Sequence, residues 1–396
     1  MKKVWDKWTR IALVKRILVG LILGAILGIA VPQATGIAIL GDVFVSALKA
    51  IAPLLVFFLV ISSLCNAGKS HGGVIKTVII LYMFSTVLAA VIAVFASMAF
   101  PVKMTLANAA TDTSAPQGIV EVLNNLLLNV VANPVSSLVN ANYVGILMWA
   151  VLLGLAFRVA DKMTKKVLAD VADGISMVVT WIINLAPFGI FGLVFNTVST
   201  NGLDIFTTYG KLLLLLVGCM LFIYFVTNPL LVYWCIRQNP YPLIFHCLKR
   251  SALTAFFTRS SAANIPVNMK VCEEMGLDRD TYSVTIPLGA TINMDGAAIT
   301  ITVMTMATAF TLGIHVDIPT AIILSLLAAL SACGASGVAG GSLLLIPMAC
   351  SLFGISDDIS MQVVAVGFII GVVQDSVETA LNSSSDLLLS ASAEFR

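Results

Sequence analysis

The polar residues of the last apolar segment are the strongest candidates for chemistry. Asp375, Glu378, Thr379, Asn382 and Asp386 stand at offsets of 0, 3, 4, 7 and 11, which is the spacing of one face of an α-helix. Like-charged carboxylates about 4 Å apart repel by about 4 kcal/mol at an effective dielectric constant of about 20. The stripe therefore predicts a neighbouring cation: bound sodium, a substrate ammonium or an arginine.

A second polar group interrupts the preceding apolar run. Asn293-Met294-Asp295-Gly296 lies near the middle of a helix predicted over about 283–312, where an aspartate is not expected without a partner. Gly296 should loosen this helix and free main-chain carbonyls, which are ligands for hard cations. The segment therefore predicts a cation site, although a single Asn or Asp could also form a structural hydrogen bond between helices.

The chain that carries these groups is strongly apolar. Of its 396 residues 59% are apolar and 11% are charged, the formal net charge is +2, and the mean hydropathy is +1.02. Soluble proteins carry about 25% charged residues, so this composition excludes a soluble enzyme, a nucleic-acid binder and a disordered protein. It predicts an all-α polytopic membrane protein. The seven cysteines form no CxxC pair and are interpreted as apolar core residues.

Apolar runs long enough to cross about 30 Å of hydrocarbon fill the first part of the chain. They lie at roughly 11–31, 43–65, 74–100, 119–157, 167–200 and 207–236. Asparagine and proline at 133–142 predict that the fourth run is several short helices. Lysine and arginine concentrate before the first run, at 69–76 and at 158–166, which places the N-terminus in the cytoplasm. We expect a retained first helix rather than a cleaved signal peptide.

The second part of the chain contains two broken units. The first is split by Thr258-Arg259-Ser260-Ser261 and the second by a glycine-rich tip at 333–341, and a long helix follows each unit. The two units enter the membrane from opposite sides, so they are inverted repeats. Broken segments at matching places of inverted repeats indicate the binding site of a transporter. The sequence thus predicts eight transmembrane helices plus two re-entrant helical hairpins, with Arg259 as the cation nearest the stripe.

These motifs together resemble the dicarboxylate/amino acid:cation symporters, the family with the glutamate-transporter fold. The resemblance covers essentially the whole chain in order and spacing, and within the family the chain is most similar to bacterial serine/threonine:sodium symporters. It implies a homotrimer in the bacterial inner membrane, with both termini cytoplasmic, that imports serine and threonine together with sodium. It implies no enzymatic activity, no nucleic-acid partner and no cofactor besides sodium as the coupling ion.

The resemblance also implies two domains that move relative to each other as an elevator. Residues 1–73 and 101–200, with spans one, two, four and five, would form the scaffold. Residues 74–100 and 201–396 would form the transport domain. Its parts after span three would be span six, hairpin one at about 241–275, span seven at about 280–312, hairpin two at about 318–353 and span eight at about 358–391.

The resemblance assigns part of the polar stripe to an amino-acid substrate. Asp375 would bind the α-ammonium, and Asn382 with the serine tip of hairpin one would hold the α-carboxylate. The candidate substrate residues are Arg259, Ser260, Ser261, Val338, Asp375, Glu378, Thr379 and Asn382. Arg259 and Val338 would contribute main-chain carbonyls to the ammonium.

The resemblance further implies three sodium sites. One would use Asp386 with main-chain oxygens of Gly289, Asn293 and Asn382. A second, under hairpin two, would use main-chain oxygens of Thr291, Ala332, Cys333 and Ala335. The third would use Asp295, Asn293, Tyr82, Ser85 and Thr86. By spacing alone, the three hydroxyl residues of span three are more simply interpreted as bridges between helices.

Two departures from the family pattern bear on the substrate. Members that transport acidic substrates have an arginine at the place of Glu378 and a threonine at the place of Ala297. A glutamate there repels an acidic side chain, which favours a small neutral amino acid. Glu378 could accept a hydrogen bond from a serine or threonine hydroxyl, or pair with Arg259.

Other functions remain open at this point. Alanine or another small neutral amino acid, or an acidic one, could be the substrate. An ion channel would pass uncoupled flux, which the two gated hairpins disfavour. An intramembrane enzyme would need a Ser/Lys, Asp/Asp or HExxH arrangement, and none is placed for it.

Overall fold

The computed structural model describes residues 11, 13–66, 73–106, 128, 131–203, 205–335 and 340–396. The secondary structure of these residues is helical throughout, without a strand. Six of their helices are long and apolar enough to cross a membrane. The predicted class, an all-α polytopic membrane protein, is confirmed, whereas the number of spans and hairpins stays a prediction.

The first half of the chain forms seven helices among the described residues. They are α1 Leu13–Ala30, α2 Ile39–Asn66, α3 Gly73–Ala99, α4 Pro134–Val139, α5 Tyr143–Ala156, α6 Lys162–Asn184 and α7 Ala186–Asn201, with a short 3₁₀ turn Thr35–Ala38 before α2. The run at 167–200 is thus two helices that meet at Leu185 rather than one. Pro187 lies in the first turn of α7, where a proline has no helical N–H bond to lose.

The second half is built from interrupted helices. They are α8 Ile205–Phe222, α9 Asn228–Ile236, α10 Tyr241–Cys247, α11 Leu253–Thr258, α12 Ser261–Glu274, α13 Arg279–Ile292, α14 Asp295–Thr311, α15 Ile318–Ala332, α16 Ile346–Ser351 and α17 Asp357–Glu394. Wide π turns at Ile223–Thr227 and Leu248–Ala252 join α8 to α9 and α10 to α11, and a 3₁₀ segment Gly341–Leu345 precedes α16. Hairpin one thus corresponds to α10–α12 and hairpin two to α15–α16.

The predicted helix at 283–312 is broken at a different residue from the one expected. Asn293 and Met294 have non-helical backbone angles, and α14 begins at Asp295. Gly296 lies inside the first turn of α14, so the break falls just before this glycine rather than at it. Its physical role is close packing, because a Cβ at Gly296 would lie 2.9 Å from Cα of Glu378 on α17.

Helix α17 lies at the centre of the fold. Its residues from Ile359 to Ala393 are almost all buried, and α3, α11, α12, α13 and α14 pack around it. The polar stripe is therefore enclosed by protein rather than by lipid. By contrast, α1 and α6 expose large apolar side chains such as Ile26 and Trp181, as expected for helices that face lipid.

Helices α1 and α7 make the closest helix contact of the first half. Gly20, Gly24 and Gly28 repeat every fourth residue on α1, and each faces the backbone of α7. A Cβ at Gly20 would lie 2.2 Å from the carbonyl oxygen of Pro187. Small residues at this spacing let membrane helices approach closely without a hydrophobic driving force between them.

We expect Gly20→Ala to lower the thermal unfolding midpoint of the detergent-solubilised protein. The added methyl group meets backbone that cannot rotate away, and overpacking of this kind costs about 1–3 kcal/mol. Gly210→Ala on α8 is the matched control, since no heavy atom lies within 4 Å of its Cβ position. Equal midpoints for the two variants would contradict this account of the α1–α7 contact.

Candidate functional site

The site is built where two breaks in the backbone meet the middle of α17. Helix α11 ends at Thr258, and the next residue, Arg259, has a left-handed φ of 52°. Ser260 then caps α12, and its hydroxyl accepts a hydrogen bond from the Ala263 N–H at 3.2 Å. This turn directs the Arg259 side chain towards α17, where Asp375 lies.

Most of the predicted substrate residues line one small cavity. Its lining consists of Arg259, Ser260, Ser261, Met294, Ala335, Asp375, Glu378, Thr379 and Asn382. The cavity measures about 20 Å³, which is room for about one water molecule. An amino acid can therefore enter only after side chains or a hairpin tip move. The predicted contact at Val338 lies outside the described residues.

Asp375 forms an ion pair with Arg259. The Arg259 Nε donates to Asp375 Oδ2 at 2.6 Å, and the side chains are only 11% and 4% exposed. The backbone N–H of Gly340, next to the tip of hairpin two, donates to the other carboxylate oxygen at 3.2 Å. Asp375 thus connects both hairpins, and the arginine occupies the carboxylate that was predicted to bind an ammonium.

Glu378 has a different environment from Asp375. Its Oε2 accepts hydrogen bonds from Thr300 at 2.7 Å, Ser342 at 2.9 Å and Gln374 at 2.5 Å. No salt bridge joins it to any cation of the described residues. The ion pair between Glu378 and Arg259 that the sequence allowed is not observed, because the arginine pairs with Asp375.

Asn382 and Thr379 are anchored to the backbone around the cavity. The Asn382 Oδ1 accepts from the Gly296 N–H at 2.7 Å, and its amide nitrogen lies 3.5 Å from the Met294 sulfur. The Thr379 hydroxyl donates to the Asp375 carbonyl at 2.8 Å. Asn382 therefore links α17 to the break between α13 and α14.

The Asp295 carboxylate lies against span three. Ser85 and Thr86 donate to its two oxygens at 2.7 and 3.1 Å, and all three residues are fully buried. Asn228 was not predicted, yet its Oδ1 lies 3.4 Å from the Ser85 hydroxyl. An Asn-Pro pair within the apolar run at 207–236 is the signal that could have identified it.

A second oxygen-rich group surrounds Asp386. Its Oδ1 accepts from the Asn293 amide at 2.9 Å, whereas Asp386 Oδ2 and Asn293 Oδ1 are buried without a partner among the described residues. A Cβ at Gly289 would lie 2.8 Å from Asp386 Oδ1, so the backbone of α13 approaches this carboxylate closely. Buried oxygens without donors suit a hard cation such as sodium.

Tyr82 contacts both carboxylate groups: its carbonyl accepts from the Thr86 hydroxyl beside Asp295 at 3.0 Å, whereas its side chain lies beside Asp386. Its hydroxyl contacts the Asp386 carbonyl at 2.8 Å, the Ser390 hydroxyl at 2.7 Å and the Thr285 carbonyl at 3.3 Å. The tyrosine therefore bridges α3, α13 and α17, and its hydroxyl belongs to the Asp386 group.

The site predicted under hairpin two falls where the C-terminal ends of α13 and α15 meet. The Cys333 sulfur lies 3.7 Å from the Ile292 carbonyl, which places the C-terminal end of α15 beside Thr291 on α13. Ala332 is the last residue of α15. Carbonyls at helix C-termini carry partial negative charge and lack intrahelical donors, so two such ends can coordinate a cation.

Comparison with known proteins gives one consistent result. Residues 13–394 match the sodium:dicarboxylate symporter family. A serine/threonine transporter SstT of Bifidobacterium adolescentis is 58% identical over 396 residues, which cover 100% of this chain and 92% of the relative. A serine/threonine transporter SstT of Streptococcus thermophilus is 55% identical over 395 residues, covering 100% of this chain and 98% of the relative.

Proposed function

Since the chain belongs to the sodium:dicarboxylate symporter family, we propose that it is a sodium-coupled symporter that imports serine and threonine. The family and these relatives are transporters, so the activity is transport rather than enzymatic catalysis. The observation that carries the choice of substrate is the position of Glu378. This buried carboxylate lines the cavity beside Asp375 and would repel an acidic side chain.

On binding, the substrate would replace the ion pair between Arg259 and Asp375 with its own contacts to the cavity. Its ammonium would take the place of the Arg259 guanidinium on Asp375, which binds a cation through the same carboxylate. Its carboxylate would be held by Asn382 and by Ser260 and Ser261 at the start of α12. Its hydroxyl would donate to Glu378. A zwitterion satisfies these groups without adding net charge to a buried site.

Sodium would occupy the oxygen-rich groups around the cavity. Asp386 with Gly289, Asn293 and Asn382 would hold one ion, and Asp295 with Ser85 and Thr86 would hold another. A third would lie between the ends of α13 and α15. Asn382 and the break at 293–294 belong to both the substrate cavity and the Asp386 group, so ion binding would help to shape the cavity.

We further propose the division of the chain into a scaffold and an elevator-like transport domain. Helices α1, α2 and α5–α7 would form the scaffold of a homotrimer in the cytoplasmic membrane, with both termini cytoplasmic. The α1–α7 contact through three glycines supports a rigid scaffold. All described substrate residues lie on α11–α17 or their connections, which supports their movement as one unit.

Reconstitution into liposomes tests the function. Radiolabelled serine should accumulate when sodium is higher outside and should not when potassium replaces sodium. Serine flux that does not depend on the sodium gradient and never exceeds equilibrium would indicate a channel instead. No serine uptake with an imposed sodium gradient would contradict the proposal.

Selectivity should follow the charge of the cavity. We expect unlabelled serine and threonine to compete strongly with labelled serine, alanine moderately, and aspartate and glutamate hardly at all. The reason is that Glu378 can accept a hydrogen bond from a hydroxyl but repels a carboxylate. The measurement is inhibition of uptake at fixed sodium. Potent inhibition by aspartate would restore an acidic substrate, and alanine as the best competitor would favour a general carrier of small neutral amino acids.

A further inference from the structure

Glu378 is held by three side chains that are not among the substrate residues assigned so far. Thr300 lies on α14, Ser342 follows the tip of hairpin two, and Gln374 lies one helical turn before Glu378 on α17. All three hydrogen bonds reach the same carboxylate oxygen, Oε2, at 2.5–2.9 Å. Gln374 also donates to the Thr300 hydroxyl at 2.7 Å, so the three groups form one connected network.

This network stabilises the buried carboxylate of Glu378, whose burial would otherwise destabilise the fold. Glu378 is 5% exposed, and Arg259, the cation of the same cavity, pairs with Asp375. A buried carboxylate without a cation needs several donors to remain stable. Because all three donors use Oε2, Oε1 has no hydrogen bond with any residue that the structure describes. Glu378 lines the cavity, and Oε1 is the carboxylate oxygen that these three donors leave free.

We infer that Thr300, Ser342 and Gln374 are positioning residues that fix Glu378 so that Oε1 accepts the side-chain hydroxyl of serine or threonine. This inference rests on the proposed function and specifies how the substrate side chain is distinguished. Among the described residues, no hydrogen bond joins Thr300, Ser342 or Gln374 directly to Asp375 or Asn382, which would hold the ammonium and carboxylate that all amino acids share. It should therefore contribute to the preference for serine over alanine and little to binding of the amino-acid backbone.

Ser342 connects this recognition to hairpin two. It lies two residues after Gly340, whose N–H donates to Asp375, and within the 3₁₀ segment Gly341–Leu345. One short stretch of hairpin two thus contacts both carboxylates of the cavity. A substrate whose hydroxyl is bound by Glu378 would therefore also stabilise residues 340–342 of hairpin two.

The test is the ratio of apparent affinities for serine and alanine, measured by competition in proteoliposomes at saturating sodium. Thr300→Val, Ser342→Ala and Gln374→Leu each remove one donor with little change of shape. Each should reduce the preference for serine over alanine by about fivefold to tenfold, the size expected for the loss of one intramolecular hydrogen bond. Thr300→Ser keeps the hydroxyl and should retain the preference of the unmodified protein.

Thr302→Val is the matched control on the same helix. Its hydroxyl is buried and has no hydrogen-bond partner among the described residues, so its removal should leave the ratio unchanged. A structural role alone would weaken serine and alanine equally in the three variants, and that result would overturn the inference. If the unmodified protein transports serine and prefers it to alanine but the ratio survives all three substitutions, the inference fails while the proposed function stands. If the unmodified protein does not transport serine, the proposed function itself fails.

Discussion

Purified Asp375→Asn protein is expected to bind serine about a hundredfold more weakly than the unmodified protein, or not measurably. The substrate ammonium would meet Asp375 in a site where this carboxylate is 4% exposed. Truncating one partner of a buried charge pair costs about 2–5 kcal/mol, and each 1.4 kcal/mol is about tenfold in affinity. The loss of binding should abolish uptake as well, since the other carboxylate of the described cavity, Glu378, would hold the substrate hydroxyl rather than its ammonium.

The measurement is serine binding to the purified protein by calorimetry at fixed sodium. Asp358→Asn is the matched control: it makes the same substitution on α17, but in an exposed pair with Lys49 at 2.6 Å. Asp375→Asn also leaves the Arg259 guanidinium buried without its carboxylate, which destabilises the fold. The double variant Asp375→Asn/Arg259→Gln removes both charges, should recover thermal stability and should still not bind serine. Serine binding equal to that of the unmodified protein in either variant would refute the assignment.

The periodicity of the sequence was sufficient to predict the polar face of α17. Residues at offsets of 0, 3, 4, 7 and 11 must share a face if the segment is helical, and an apolar segment of this length in a membrane must be helical. The same reasoning identified Asp295 and the serine tip as groups that need a polar environment. These inferences depend on local spacing and on the exclusion of water, and both are properties of the sequence itself.

The partners of these groups depend on which helices meet, and spacing does not determine that. The sequence offered Glu378 as a partner for Arg259 and did not foresee a pair with Asp375, because both carboxylates lie on the same face one turn apart. The structure resolves the choice through Ser342 and Thr300, which supply Glu378 with donors from two other elements. Tyr82 illustrates the same point. Its spacing with Ser85 and Thr86 puts it on the same side of α3, but its long side chain reaches the main-chain carbonyl of Asp386.

Asp386→Asn and Asp295→Asn are expected to raise the sodium concentration that half-saturates serine uptake by about tenfold or more in each variant. Affinity for hard cations depends on the number of charged oxygen ligands, and each substitution removes one charge while keeping the shape of the side chain. Asp386 has one oxygen without a donor in the described part of the chain, and Asp295 is fully buried against two hydroxyls. Among the described residues, no hydrogen bond joins Asp386 or Asp295 to Asp375 or Glu378 in the cavity lining.

The coupling between sodium and serine distinguishes a sodium ligand from a substrate ligand. If sodium increases serine affinity by some factor, serine must increase sodium affinity by the same factor, because the two bindings share one thermodynamic cycle. In Asp386→Asn, serine affinity measured by calorimetry should therefore fall at low sodium and recover as sodium is raised towards saturation. In Asp375→Asn it should not recover at any sodium concentration, since the missing group contacts the ammonium itself. Recovery of serine affinity in Asp375→Asn would contradict the proposed role of Asp375. Unchanged sodium dependence in both Asp386→Asn and Asp295→Asn would contradict the proposed sodium sites at these two carboxylates. Asp358→Asn should match the unmodified protein at every sodium concentration, because its carboxylate lies at the exposed start of α17.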